Sequence, residues 1–382
     1  MANTLTQLIP DLYQSLDIVS RELCGFIPSI TLDATAERAA LNQPIRIPVT
    51  PASEAEDVKP GQLPPDDGDQ DIGNVPLAIT KSRMVPFRWE GEQQKGIKSG
   101  PGYHGIRRDQ VTQAMRTLVN EIEADLGQLF CRASRAAGEA GKTPFKDTLT
   151  DTAQVRKILT DNGAPLSDLQ CVIDTTAGAA LRTMAQLTKA NEAGTTALRA
   201  QSTLLELHGF TLRESAGVAE NTGAKAEKLS VGDDLEAGSV IIPVAATSPN
   251  TKPDIPDSVS PGSVVLLGKH KYVVAYVTPG EAIIINEPGL LEDMKATTKF
   301  DVVSEFVANF AFSRSAIILA TRAPALPEEG DMADDRIMIT DPRTNMSFEV
   351  SMYKQYRRVC YEIAAAWGCQ NIKPEHTCLL LG

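Results

Sequence analysis

Apolar residues recur by fours and threes along residues 107–138, at Val111, Met115, Leu118, Ile122, Leu126, Leu129 and Ala133. That spacing predicts one long helix with a single buried stripe. Asp109 lies in its first turn and Arg132 and Arg135 near its last, as the helix dipole favours, and Gly138 and Gly141 are expected to end it. About thirty residues at ~1.5 Å each make a rod of roughly 45 Å.

Ahead of this helix the pattern changes to alternation. Ile45, Ile47 and Val49 alternate within 44–51, and Val75, Leu77, Ile79 and then Val85, Phe87, Trp89 alternate within 75–92. These two extended arms predict a protruding β-hairpin. Pro76 and Pro86 inside the second arm place it at an edge, because proline has no backbone N–H to donate to a partner strand. The first 43 residues hold a helix-like stretch, Leu5 to Glu22, interrupted by Pro10. It reads either as a terminal arm that needs a neighbour or as a fraying terminus.

Beyond the long helix, residues 151–216 alternate helix and strand. The pattern gives a helix over 151–161 stopped by Gly163, a strand over 169–173, a helix over 176–190, a shorter helix near 198–208 and a strand over 210–214. Residues 217–300 carry short β signals alone, at 239–245, 263–267, 271–277 and 282–286. The last two are joined by a Thr-Pro-Gly-Glu turn, and a four-proline loop separates the first two. This reads as a small all-β module inserted into an α+β body that resumes near 305. Strands follow at 314–321, 336–340, 346–353 and 356–366, with 341–345 as a hairpin turn.

Composition narrows the classes. The chain has 382 residues, 42% of them apolar, enough for two or three domains with real cores. A net charge of −12 disfavours a dedicated nucleic-acid binder. Half of that charge sits in one place: between Glu54 and Asp71 seven acids (Glu54, Glu56, Asp57, Asp66, Asp67, Asp69, Asp71) face the single base Lys59, with three prolines and no periodicity. That is a solvated loop at the tip of the hairpin. Apolar runs are too short for a membrane span, and the N-terminus lacks a secretion-signal pattern. Six scattered cysteines without a CxxC pair read as free thiols of a protein folded in a reducing cytoplasm.

Catalytic chemistry finds little support. Residues 136–143, AAGEAGKT, offer Gly141, Lys142 and Thr143 of a phosphate-binding loop, but Ala136 replaces its first glycine and the expected preceding element is the long helix, not a strand. A nucleotide-binding enzyme using Gly141–Thr143 is therefore the minor alternative. Asp67, Asp69 and Asp71 begin like a calcium loop, yet its sixth and twelfth positions are Ile72 and Ala78. Cys360, Cys369 and Cys378 with His376 match no compact zinc spacing. None of the four histidines lies beside a plausible nucleophile, and aromatics are not interleaved with basic runs. No cofactor, metal or catalytic residue is expected.

The C-terminal stretch carries a resemblance. The segments AFSRSAIILATRAP (311–324), PEEGDMADDR (327–336), SFEVSMYKQYR (347–357), AWG (366–368) and NIKPEHTCLLLG (371–382) resemble the C-terminus of major capsid (coat) proteins of tailed bacteriophages of the gene-five type. The resemblance implies the phage shell fold, an α+β architecture. Its parts would be an N-terminal arm (1–43), an extended β-hairpin loop (44–105), a spine helix (106–140), interleaved peripheral and axial domains (141–216 and 301–382) and an inserted small β-barrel module (217–300). It implies a structural protein that self-assembles into pentamers and hexamers of an icosahedral head enclosing double-stranded DNA. Its partners would be copies of itself, a scaffolding protein, a portal protein at one vertex and a decoration protein, with no membrane. It would be assembled in the host bacterial cytoplasm and end in the virion. Encapsulin shells share this fold and are the alternative.

Two details complete the expectation. No long charged helical segment precedes the arm, so a separate scaffolding protein and an intact Met1 are expected. Lys81, Lys95 and Lys98 lie where some relatives crosslink, but nothing marks one as reactive, so no crosslink is expected. Candidate inter-subunit contacts are the seven acids of the tip together with Arg83, Phe87, Arg88 and Trp89.

Overall fold

A computed structural model of the chain describes residues 24–49, 72–97, 103–146, 148–184, 206–223, 226–245, 255–256, 258–340 and 346–382. Few helices and two large sheets make it α+β. The first sheet has six strands: Thr31–Ala39, Ile317–Pro324, Arg358–Asn371, Ser347–Gln355 and Asp335–Thr340 in that order, with Lys81–Glu90 on the other side of Arg358–Asn371. The second sheet has thirteen strands, and its centre is formed by Arg135–Gly138, Thr377–Leu381, Phe306–Ser313 and Leu169–Ile173.

The helix Tyr103–Gly127 packs on Lys81–Glu90 and Arg358–Asn371 of the first sheet and shares one apolar core with both sheets. Val111, Met115, Leu118, Ile122 and Leu126 of the expected stripe are all buried there. The helix is shorter than its apolar periodicity suggested. Gln128–Arg132 tightens into a 3-10 turn, and Arg135–Gly138 is a strand that runs parallel to Thr377–Leu381. A Cβ at Gly127 would lie 2.1 Å from the Gly217 carbonyl oxygen, so a crossing loop presses on the helix end. Ala133, Ala136 and Ala137 suit either element, and the partner strand decides.

The second hairpin arm also divides. Pro44–Val49 pairs antiparallel with Gly73–Ala78, from Pro44↔Ala78 to Val49↔Gly73. The chain then crosses at Ile79 and Thr80, and Lys81–Glu90 leaves the hairpin to pair with Arg358–Asn371. A Cβ at position 368 would sit 2.0 Å from the Ala78 carbonyl oxygen, so Gly368 is what lets the two segments cross. Pro86 is accommodated as expected, because among the described residues Lys81–Glu90 pairs on one side alone.

Other expectations shift. The helix expected at 176–190 is Thr175–Thr183, capped by Asp174, whose carboxylate accepts from the Thr176 and Ala177 amides. Where a helix was expected near 198–208, Glu206–Leu207 is a strand against Phe210–Glu214, and residues 185–205 lie outside the described set. The strand expected at 314–321 is Ile317–Pro324, preceded by an unanticipated strand, Phe306–Ser313. The first 23 residues and the turn at 341–345 are likewise outside the described set. What is described of 24–43 is no free arm: Phe26, Ile27 and Ile30 are buried and Thr31–Ala39 runs parallel to Ile317–Pro324.

The β-rich stretch has its own apolar cluster, including Val231, Ile242, Val265, Tyr272, Val274, Ile283 and Ile285. It is nevertheless hydrogen-bonded into the second sheet, where Lys271 and Tyr272 pair with Ala136 and Arg135.

Candidate functional site

The hairpin, the edge strand after it and the long helix are where the named contact candidates fall. Lys81–Glu90 alternates between a face turned to the helix and a face turned outward. Trp89 points inward: it is 6% exposed, and its Nε1 donates to Gln110 Oε1 at 2.7 Å. Phe87 also turns in, stacking on Tyr361 with ring centroids 5.3 Å apart, while the Arg107 guanidinium lies 5.9 Å from the Tyr361 centroid. Trp89 is thus an anchor within one chain, and Phe87 is half-buried in the same layer. The reason is register: alternation fixes that Val85, Phe87 and Trp89 share a face, and the helix takes that face.

Arg83 is exposed but reaches the helix, its Nε 3.2 Å from Glu121 Oε1. Arg88 lies on the exposed face with Ser82, Met84, Pro86 and Glu90, and Met84 is 58% exposed. Glu54, Glu56, Asp57, Asp66, Asp67, Asp69 and Asp71 lie outside the described residues. The structure thus joins Arg83, Phe87 and Trp89 to the helix and leaves Arg88 facing outward.

The second of the chain's two tryptophans repeats the device. Trp367 is fully buried, and its Nε1 donates to Asp125 Oδ2 at 2.9 Å. Gln110 and Asp125 are roughly 22 Å apart along the helix axis, so two indole N–H groups fix the helix to the sheet near both ends. Asp125 also accepts from Lys81 Nζ at 2.7 Å, with Glu121 at 3.4 Å. The Asp125 hydrogen bond, more than any other cause, holds the Lys81 ammonium above its ordinary pKa. Lys81 is thus engaged within its own chain; Lys95 lies on the short helix Gly91–Ile97, and Lys98 lies outside the described residues.

Glu123 is the residue sequence reasoning missed. It is 4% exposed, and four donors converge on it. The amides of Gly25 and Phe26 donate to Oε1 at 2.6 and 2.7 Å, the Ile27 amide to Oε2 at 3.1 Å, and the Ser215 hydroxyl to Oε1 at 2.6 Å. One carboxylate therefore holds together the helix, the start of the described N-terminal segment and the loop at 215–217. Burial pushes its pKa up, against the opposing pull of these donors. The signal was available: Glu123 follows Val119 by four and precedes Leu126 by three, so it stands on the apolar stripe, where a charge needs dedicated partners.

The remaining lures resolve by geometry. A strand, Arg135–Gly138, does precede Gly141, Lys142 and Thr143, contrary to expectation, but the next helix begins only at Thr150. The Gly141 amide donates to the Gly382 carbonyl and the Lys142 amide to that of Glu139, so these groups are not arrayed for a nucleotide. Burial pushes the thiols of Cys171 and Cys369 up to about 12 and raises that of Cys378. Among the described residues no three His, Cys, Asp or Glu side chains gather as a metal site, and no helix is long and apolar enough to cross a membrane.

No protein-family model matches the chain. No curated protein matches it in sequence. Among solved structures it is similar to one of Mycobacterium phage Che8 at 13% identity, covering 89% of this chain and 84% of that chain with a TM-score of 0.46. It is similar to the capsid structure of the cyanophage P-SCSP1u at 9% identity, covering 92% and 86% with a TM-score of 0.47. A virus-like particle from Pyrococcus furiosus aligns at 8% identity over 97% and 98%, with a TM-score of 0.43.

Proposed function

We propose that this chain is the major capsid subunit of a tailed-phage head, a structural protein that works by closing a shell with copies of itself. One observation carries the reading. The stretch 309–382, whose motifs resemble phage coat proteins, forms the centre of both sheets and not a peripheral tail. The resembling residues are therefore those on which the whole fold is built.

In this reading Tyr103–Gly127 is the spine and Pro44–Val49 with Gly73–Ala78 is the root of the extended loop. The stretch 217–300 is the inserted module, a folding or stability aid and a contact between capsomers. The two-stranded root packs on a small cluster of Leu77, Ile79, Ala39, Ile318, Ala320 and Ala366, with Ile45 and Ile47 only half-buried. A ribbon of two strands is marginal by itself. Its outer surface is completed by a neighbouring copy, and the acidic tip meets basic side chains there. Pentamers and hexamers, a scaffolding protein, a portal at one vertex, a decoration protein and enclosed double-stranded DNA belong to the same proposal, as do assembly in the host cytoplasm and the absence of catalysis.

Deletion of 54–71 tests this. The shortened chain should remain a soluble monomer that forms no shells under conditions where the full chain does. Normal shells by electron microscopy would refute the role of the loop.

A further inference from the structure

A cleft of about 790 Å³ opens between the strand Arg135–Gly138, the turn after it, the helix Thr150–Asp161 and the turn before His270–Thr278. Arg135, Lys142, Lys146, Lys157, Lys269 and Lys271 line it, against two acids, Glu139 and Asp151. In a chain of net charge −12, the described lining carries more positive than negative charge, even with Lys142 paired to Glu139 and Lys157 to Asp161 at 3.7 Å.

The floor of the cleft is unusual. Arg135 is 3% exposed, and its Nη2 donates to two neutral acceptors, the Ile158 carbonyl at 3.1 Å and Asn162 Oδ1 at 2.7 Å. Its Nε is buried without an acceptor. No carboxylate pairs with this guanidinium among the described residues. A buried cation with only neutral partners bears a desolvation cost that an anion would offset. Lys271 is a second half-buried cation. Its Nζ donates to the Gly138 carbonyl, and burial pushes its pKa down. Lys146 and Lys269 stand at the exposed rim, with no ion pair to either among the described residues.

We infer that this cleft is a binding site for a multiply charged phosphate compound, with Arg135 at its floor and the lysines at its rim. A single carboxylate would neutralise only one of the excess charges. A compact polyanion answers several at once, and guanidinium and ammonium groups both suit phosphate oxygens. The turn amides of Gly141 and Lys142 are already bonded, so recognition falls to side chains and charge. This differs from a nucleotide loop, in which a helix start and backbone amides hold the phosphates. The inference does not depend on the shell reading.

Titration of the full chain with tripolyphosphate tests it, read by calorimetry and by thermal melting against chloride at equal ionic strength. The expected result is saturable binding with a melting temperature raised by several degrees. The variant Lys142→Ala/Lys146→Ala/Lys269→Ala changes exposed residues only, so its circular dichroism should match the parent while its affinity falls at least tenfold. ATP should bind no more tightly than tripolyphosphate. A short DNA duplex that displaces tripolyphosphate would place the phosphate source in a nucleic-acid backbone and would also support the site. Absence of any binding beyond the chloride control, undiminished binding by the triple variant, or ATP binding tenfold tighter than tripolyphosphate would each overturn it.

Discussion

Gly73–Ala78 and Lys81–Glu90 are consecutive strands with the same alternation and a proline each, yet they have opposite fates. Lys81–Glu90 gives one face to the long helix, sends Trp89 to Gln110 and Lys81 to Asp125, and borders a six-stranded sheet. Among the described residues Gly73–Ala78 pairs with Pro44–Val49 alone, in a sheet of two, over a cluster that includes the small side chains Ala39, Ala320 and Ala366. Equal patterning therefore does not mean equal anchoring. Lys81–Glu90 is anchored against the helix and the large sheet, whereas Gly73–Ala78 rests on the smaller cluster.

Substitutions on the two strands and their partners separate the two cases. The largest effect is expected on the anchored side. Trp367→Ala removes a fully buried indole and the donor to Asp125 and should cost about 4 kcal/mol in chemical denaturation, with loss of folding as the extreme outcome. Glu123→Ala should cost about 3 kcal/mol, because three amides and the Ser215 hydroxyl lose their acceptor. Glu123 also gives a pH signature. Its pKa is raised in the folded state, so its contribution is fully present below the unfolded carboxylate value and is lost as pH rises through the raised one. Glu123→Gln should flatten that part of the stability profile; an unchanged slope would remove Glu123 from the account. Trp89→Phe keeps most of the packing, removes one hydrogen bond and should cost about 1 kcal/mol. Smallest in the monomer is Ile45→Ser/Ile47→Ser on the hairpin root, expected to lower stability by under about 1 kcal/mol yet to impair particle formation. A large monomer effect there would mean the hairpin is as well anchored as its neighbour.

Much of the frame was legible in the sequence where periodicity and partner agree. Leu169–Ile173 and Phe210–Glu214 lie where their β-branched and aromatic runs place them, and the stripe from Val111 to Leu126 faces the core. Legibility failed where a distant partner decided the outcome. Thr31–Ala39, rich in alanine and charge, has no strand signature and is extended because Ile317–Pro324 lies parallel to it. Ala136 and Ala137 suit a helix and become strand beside Thr377–Leu381. In the candidate site, alternation grouped Phe87 with Trp89 but could not say that the helix would take their face. The cleft around Arg135 brings together residues from 135 to 381, a proximity no local pattern contains.

Under the proposed shell function, the hairpin root and the sheet edge finish burying their surface only against further copies of the chain. The direct measurement is electron microscopy and sedimentation of the protein co-produced with candidate scaffolding and portal proteins. Closed particles of uniform size are predicted. A lone, fully stable monomer at high concentration under those conditions would contradict the account.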